Sequence, residues 1–360
     1  QAVRGVGEVC RDEGIDAEYV LGGSLAVATT EAQAARVREG VKDARSFGFG
    51  EDDYALLEGD DLRTRIEVAG GICAIHTPHC AAVNPAKLTR GLASVVESLG
   101  VKILEQTAAT RIDEGAVRTT RGSVRAEVII RATEGYTGNI EGHQRLLAPV
   151  EIFMIATEPL PESFWNEVGW RERECVNDAK TMFVYSQRTA DDRIAIGAGG
   201  ARYHLGAKIP DQGTSPKHWD EIQRQLIALF PGTSDAEITH KWGGVMGVPR
   251  DWSPSIGYRR ETGIAWAGGY VGDGVSTANL AGRTLRDLIN GETTDITALP
   301  WVNHRWRRWE PEPLPWVGIN TATRLFGQMD RNETRSGKPS RLSKVAEMLI
   351  GESSPSSSTS

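Results

Sequence analysis

Apolar positions along this chain recur with two different periods, and the switches between them outline its elements. Val3, Val6 and Val9 share a helical spacing, so the first residues are expected to be helical. Residues 18–29 read as a strand pair, with Gly22-Gly23 as the turn between two apolar stretches. Helical period returns over 31–47, with Ala34, Ala35, Val37 and Val41 near one face. The clearest helix is 85–99. Asn84 can cap it, Pro85 suits its first turn, and Gly100 ends it, with Leu88, Leu92, Val95, Val96 and Leu99 as the expected buried stripe. Residues 101–105 then read as a strand, 117–120 with Val124 as a short hairpin, and 128–130 as an apolar strand. Helix, strand, hairpin and strand in that order predict an α/β layer with a small antiparallel excursion.

From residue 150 to 238 the pattern shortens. Alternating runs at 150–155, 181–185 and 193–196 predict antiparallel strands, interrupted by a helix over 216–230 that carries Trp219, Ile222, Leu226 and Leu229. Such a block suits a β-sheet domain lying over a ligand carried by the α/β layer. Next come a strand at 264–267, a glycine-rich loop at 268–274, and a helix burying Leu280, Ala281, Leu285, Leu288 and Ile289. Gly291 follows its end. Segment 301–344 holds nine Lys/Arg against four Asp/Glu, interleaved with Trp301, Trp306, Trp309 and Trp316. It can be read as a nucleic-acid or partner surface. The preferred reading is an extension that packs its tryptophans on the α/β layer, with Pro311, Pro313 and Pro315 suiting an extended wrap. Residues 353–360 are low-complexity and expected to be disordered.

Composition narrows the function classes. A length of 360 residues suggests about two domains, and 39% hydrophobic with 25% charged residues are globular values. The net charge of −7 argues against general affinity for nucleic acid or an anionic membrane. No apolar run approaches the roughly 20 residues that span a bilayer. Four cysteines are too few for a disulfide framework, and a reducing, cytoplasmic setting is expected. Cys73, His76, His79 and Cys80 crowd together, but C-x-x-H-x-x-H-C matches no standard zinc spacing, so no metal is expected. The chain opens at Gln1 inside a helical pattern and is read as a fragment or processed product.

The stretch 263–283 carries most of the chemistry. Glycines at 268, 269, 272 and 274 would let backbone approach a planar ligand closely, and the helix that follows offers free N–H groups to an electron-rich atom. A tight turn with no ligand has the same spacing, and the pattern alone leaves both readings open. This loop and helix resemble the C-terminal flavin-binding motif of the D-amino-acid oxidase-like FAD-dependent oxidoreductases, which include glycine, sarcosine and γ-glutamylputrescine oxidases. Three further stretches resemble that family in the same order. They are Gly70-Gly71 through Leu92, Ala132-Thr-Glu-Gly-Tyr-Thr137, and Trp242 to Asp251 with Ser253 to Gly257.

The resemblance implies an α/β fold: an FAD/NAD(P)-binding-type (Rossmann-like) layer, here N-terminally truncated, with an antiparallel substrate sheet over the flavin. It implies FAD as cofactor, hydride transfer from a C–H beside an amine nitrogen to flavin N5, hydrolysis of the imine, and reoxidation by dioxygen or another acceptor. An amine or amino acid is the implied substrate, and no catalytic base is assigned. The cofactor contacts it implies are Ala132, Thr133, Glu134, Gly243, Gly244, Gly268, Gly269, Tyr270, Gly272, Asp273, Gly274 and Val275. Expected domain segments are 1–80 (helix and start of the substrate domain), 81–148 (FAD domain), 149–240 (substrate domain) and 241–295 (FAD domain). A Trp/Arg-rich extension (296–351) and a tail (352–360) follow.

Two departures qualify this picture. The family's G-x-G-x-x-G loop, which holds the FAD pyrophosphate, does not occur in the sequence. Flavin binding by this chain alone is therefore in question, and a non-catalytic remnant serving as a binding or assembly module is the alternative. An NAD-dependent dehydrogenase ranks last, since it would need the same fingerprint. The family's Gly-x-Arg-Pro arginine, a clamp for substrate carboxylate, is also displaced here, to Gly247-Val-Pro-Arg250. Arg250, with Arg202, Tyr203 and His204, supplies the candidate substrate contacts, and amines or γ-glutamyl-amines stay open beside simple amino acids.

Overall fold

The structure, a computed structural model, describes residues 1–210, 216–340 and 342; the expected tail at 352–360 lies outside them. Helix α1 (Ala2–Asp12) comes first, then β1 (Ser24–Ala28), α2 (Glu31–Ser46), β2 (Ala55–Glu58), the short α3 (Asp60–Arg65) and β3 (Cys73–Thr77). Next are α4 (Pro85–Ser98), the strands β4 (Ala109–Asp113), β5 (Ala116–Thr119) and β6 (Gly122–Arg125), and β7 (Ile129–Arg131). The middle of the chain contains β8 (Ala148–Thr157), α5 (Glu162–Val168), β9 (Cys175–Asp178), β10 (Val184–Arg188), β11 (Ile194–Tyr203), α6 (Pro216–Leu229) and β12 (Ile238–Val248). Last come β13 (Ser255–Arg259), β14 (Ile264–Gly268), α7 (Gly274–Asn290) and α8 (Leu314–Ser336).

Eight strands form one large sheet in the order β12-β8-β11-β10-β9-β1-β3-β2. Every pairing is antiparallel except β1 with β9, which runs parallel. Side chains alternate between faces along each strand. One face carries Leu25, Val27, Phe153, Ile155, Val176, Val184 and Ile196, which form the main core with Ile222, Leu226 and Leu229 of α6 and with Trp165 and Trp170. Fully burying one such side chain contributes about 1.5–3 kcal/mol. The register puts Ala26, Asn177, Tyr185, Gly197, Met154 and Trp242 in a row on the opposite face. Helix α2 covers one end of that face through Ala34 and Val37. Its start is fixed by the Thr30 side chain, which accepts from the Gln33 N–H at 3.3 Å.

A second, three-stranded sheet has the order β13-β14-β7, with β14 and β7 parallel, and α7 packs on it through Ala281 and Leu285. This is the α/β layer expected from the sequence. Strands β4, β5 and β6 form the small antiparallel excursion beside it.

Several expectations change against these coordinates. Residues 18–29 are not a hairpin: Val20 bridges Ala82, while β1 lies between β3 and β9, so Gly22-Gly23 joins two extended stretches with other partners. Residues 101–105 form no strand. Leu99 is 77% and Leu104 62% exposed, and β7 ends its sheet with no neighbour beyond it among the described residues. Parallel strands are normally buried on both faces, and here the apolar side chains stay exposed. Likewise the α4 stripe is buried at Leu88 while Leu92 and Leu99 face outward. Strand β12 stays in the large sheet to Val248, across the boundary expected at 240. Finally, residues 314–336 are not an extended wrap but the 23-residue helix α8. Pro313 and Pro315 stand at its start, where a missing N–H costs nothing.

Candidate functional site between the glycine loop and the large sheet

The loop after β14 combines glycine geometry with an open helix end. Gly269 and Gly272 adopt φ of +75° and +103°, which side-chain-bearing residues rarely do. Helix α7 then starts at Gly274 with no side-chain cap from Asp273. Its first N–H groups and the positive end of a 17-residue dipole are thus left for another acceptor. A Cβ built on Gly272 would meet only Met246 Sδ, at 4.0 Å. Met246 lies on β12 two positions from Gly244 and four from Trp242, so the loop faces the side of the large sheet opposite α6.

Glu134 holds the two layers together. Its Oε1 accepts from the Gly269 and Tyr270 N–H groups, both at 3.0 Å, and its Oε2 accepts from Gly247 N–H on β12, also at 3.0 Å. Burial pushes its carboxyl upward, and the three N–H donors oppose that shift. The neighbouring Tyr270 is pushed up to about 12, first by burial and then by Glu134. Arg131, buried at the end of β7, donates to Thr137 Oγ1 at 3.2 Å and sits 5.6 Å over the Trp306 ring; burial lowers it to about 10. Trp306 donates to the Ser253 carbonyl and packs 2.8 Å from where a Gly269 Cβ would stand. Trp306 thus packs on the α/β layer, while Trp309 donates to the Val248 carbonyl of the large sheet.

Sequence reasoning missed the sheet side of the site. Tyr185 and Met154 both close over Gly197, each 2.5 Å from where its Cβ would be. Among the described residues the buried Tyr185 hydroxyl has no hydrogen-bond partner, and burial raises its pKa, so it remains a protonated donor. The signal was present in the alternation of Phe183, Val184 and Tyr185, which places Tyr185 opposite the core-facing Val184. A second missed feature is a pair of thiols: Cys80 is in contact with Cys175, close enough to α7 for Asp273 to act on it.

The residues expected from sequence are divided by this geometry. Gly268, Gly269, Tyr270, Gly272, Asp273, Gly274 and Val275 form the loop and helix start, with Glu134 bound beneath. Thr133 bonds Thr137 at 2.9 Å, and Ala132 is exposed between β7 and Glu134. Gly244 has open space above it, while Gly243 faces Phe153 on the α6 side. Of the substrate candidates, Arg202 pairs with Glu151 on the α6 side of the sheet, and His204 lies 3.0 Å from the Glu151 carboxylate. The Tyr203 hydroxyl donates to Glu312 at 2.6 Å. Arg250 pairs with Glu310 at 3.2 Å beneath Trp309. The structure does not bring these four together over the glycine loop.

Loop and open helix end face the large sheet at Met246, which shares its sheet face with Met154 and Tyr185. The family model for FAD-dependent oxidoreductases of the DAO type matches residues 1–288. The chain belongs to this family.

Among relatives of this DAO chain is the probable oxidoreductase OrdL of Rhizobium meliloti (strain 1021). It is 28% identical over 301 residues, which cover 80% of this chain and 65% of that protein. The γ-glutamylputrescine oxidoreductase of Escherichia coli (strain K12) is also 28% identical, covering 83% of this chain and 69% of its own length. The chain therefore spans about two thirds of the length of these curated relatives. In fold it is similar to glycine oxidase from Geobacillus kaustophilus, with a TM-score of 0.71 and 21% identity, covering 84% of this chain and 80% of that one. Among the described residues no helix is long and apolar enough to cross a membrane.

For the family's cofactor, the residues present fit one end of the group. The uncapped α7 start suits an electron-rich ring, while Trp306 packs against Gly268 and Gly269 of the loop. The amides of Gly247, Gly269 and Tyr270 are taken by Glu134. The pyrophosphate fingerprint is not in the sequence.

Proposed function

We propose that this DAO-family chain is the flavin-facing and substrate-facing part of an enzyme that oxidises a C–N bond of an amine or amino acid. FAD held at the loop 268–275 supplies the two-electron acceptor for a C–H beside the substrate nitrogen. The supporting observation is the uncapped α7 start, which faces Met246 of the large sheet across Gly272. Helix α7 favours negative charge on a ligand at its first turn. Met154 and Met246 exclude water from the sheet side, and the Tyr185 hydroxyl is positioned to donate to a substrate atom over Gly197. Without a carboxylate clamp among Arg202, His204 and Arg250, the reading leans toward amines and γ-glutamyl-amines.

The occupation of the Gly269 and Tyr270 amides by Glu134 favours a second reading, in which the fold persists without catalysis as a binding module. Adding FAD to the purified chain and recording its visible spectrum separates the two. A bound-flavin spectrum that bleaches anaerobically with an amine or γ-glutamyl-amine supports the enzyme. A chain that is folded by circular dichroism yet leaves all FAD free after gel filtration moves the second reading ahead.

A further inference from the structure

Of the four cysteines, two are buried in the interior: Cys10 packs against Leu88, and Cys73 lies under α2. The other two, Cys80 and Cys175, are half-buried and stand together. Gly23 is what brings them together. Its N–H donates to the Cys80 carbonyl at 2.9 Å, and its carbonyl accepts from the Cys175 N–H at 2.9 Å. With φ +87° and a would-be Cβ only 2.6 Å from the Thr77 carbonyl, position 23 admits no side chain, and the two flanking segments close on it. The Cys175 thiol donates to the carbonyl of Ala81, the residue next to Cys80, at 3.6 Å. Cys175 sits opposite Ser24 and two positions before Asn177, so its side chain projects from the same sheet face as Tyr185. The pair is thus beside the candidate site, and nothing in the proposed chemistry uses it.

We propose that Cys80 and Cys175 form a peroxide-responsive dithiol, in which Cys80 is the attacking sulfur and Cys175 the resolving one. The two thiols differ in the required direction. Its contact with Cys80 and then its burial push Cys175 upward, and the same contact lowers Cys80. The oxidant is hydrogen peroxide. The Cys80 thiolate attacks one peroxide oxygen and the O–O bond breaks; the departing hydroxide takes a proton, leaving water and a sulfenic acid on Cys80. The Cys175 sulfur then attacks the Cys80 sulfur. The S–O bond breaks, and the departing hydroxide takes the Cys175 proton to leave a second water and a disulfide. Two thiols lose two electrons in all, and one peroxide is reduced to two waters. This pair stands independently of whether the chain binds flavin.

The test treats the folded chain with hydrogen peroxide, then counts thiols under denaturing conditions and maps peptides without reduction. The expected result is a fall from four titratable thiols to two, a single intramolecular link between Cys80 and Cys175, and recovery of four thiols with dithiothreitol. Cys175→Ser should accumulate a sulfenic acid at Cys80 that dimedone labels. Cys80→Ser should slow thiol loss at least tenfold, and Cys10→Ala should leave the link intact. Circular dichroism melts of each variant report folding separately. Four thiols persisting after peroxide, a link involving Cys10 or Cys73, or a link between two chains would each overturn the proposal.

Discussion

The Oε2 atom of Glu134 accepts a 3.0 Å hydrogen bond from the Gly247 N–H, in space that a side chain at 247 would need: its Cβ would fall 2.1 Å from that oxygen. One carboxylate thereby joins the large sheet to the glycine loop, because its other oxygen holds Gly269 and Tyr270. Truncating Glu134 leaves three N–H groups without their acceptor, and Glu134→Ala is expected to cost about 3 kcal/mol. Gly247→Ala should be at least as damaging, since the carboxylate itself must move. Chemical denaturation of both variants checks this, and a wild-type midpoint for Gly247→Ala would show that the clamp is not formed.

Tyr185→Phe removes a hydroxyl that makes no hydrogen bond among the described residues. Stability should change by less than about 0.5 kcal/mol. If the hydroxyl donates to substrate over Gly197, kcat/KM should fall about tenfold, the loss of one hydrogen bond at the reacting end. Steady-state kinetics of an active flavin-loaded preparation, read beside a melting curve, gives both numbers. Unchanged kinetics would remove Tyr185 from the site.

The C-terminal helix is anchored by charge. Asp330 of α8 accepts from the Thr181 and Met182 N–H groups at 2.9 and 2.8 Å, and Glu333 pairs with Arg36 of α2 at 2.8 Å. Asp330→Ala leaves two amides in the link from β9 to β10 unpaired and should cost about 2 kcal/mol. Hydrogen exchange at Thr181 and Met182 should rise in the same variant, whereas exchange in β14 should not.

Acid should weaken the fold partly through His76. Burial, and then Arg65, lowers its pKa below the ordinary 6.5. A histidine depressed in the folded state adds stability that is present above 6.5 and lost as pH falls through its folded value. Glu134 and Glu174, raised by burial, act in the opposite sense. The informative measurement is therefore a difference: between pH 7.5 and 5.5, the melting temperature of His76→Asn should fall less than that of the wild type. Equal falls would assign the acid sensitivity elsewhere.

The glycine-loop end of the site was legible because backbone geometry leaves residue-level marks: glycine where φ is positive, an apolar strand before, a helical stripe after. Helix α4 was equally legible through Asn84 and Pro85, and the Asn84 side chain does accept from Lys87 N–H at 3.2 Å. Tyr185 and the Cys80–Cys175 contact were not. Both depend on which strands become neighbours, and β9 meets β1 by a parallel pairing that no local pattern encodes. The strand expected at 101–105, which the structure does not form, shows the converse. Its apolar alternation is real, but a strand is a property of a pair. Helix α8 was hidden by prolines that lie at its start, where they are compatible with a helix, instead of in its interior.

That parallel pairing also sets an order of events on the ribosome. Residues 24–27 find their partners only at 175–178, about 150 residues later. Until then β1 has only β3 of its two strand partners, with Leu25 and Val27 exposed to solvent. Contacts so distant in sequence slow folding and prolong the exposure of apolar edges. The first third of the chain is thus the segment most in need of a chaperone during synthesis, and a pause in translation before β9 would be spent with an open sheet.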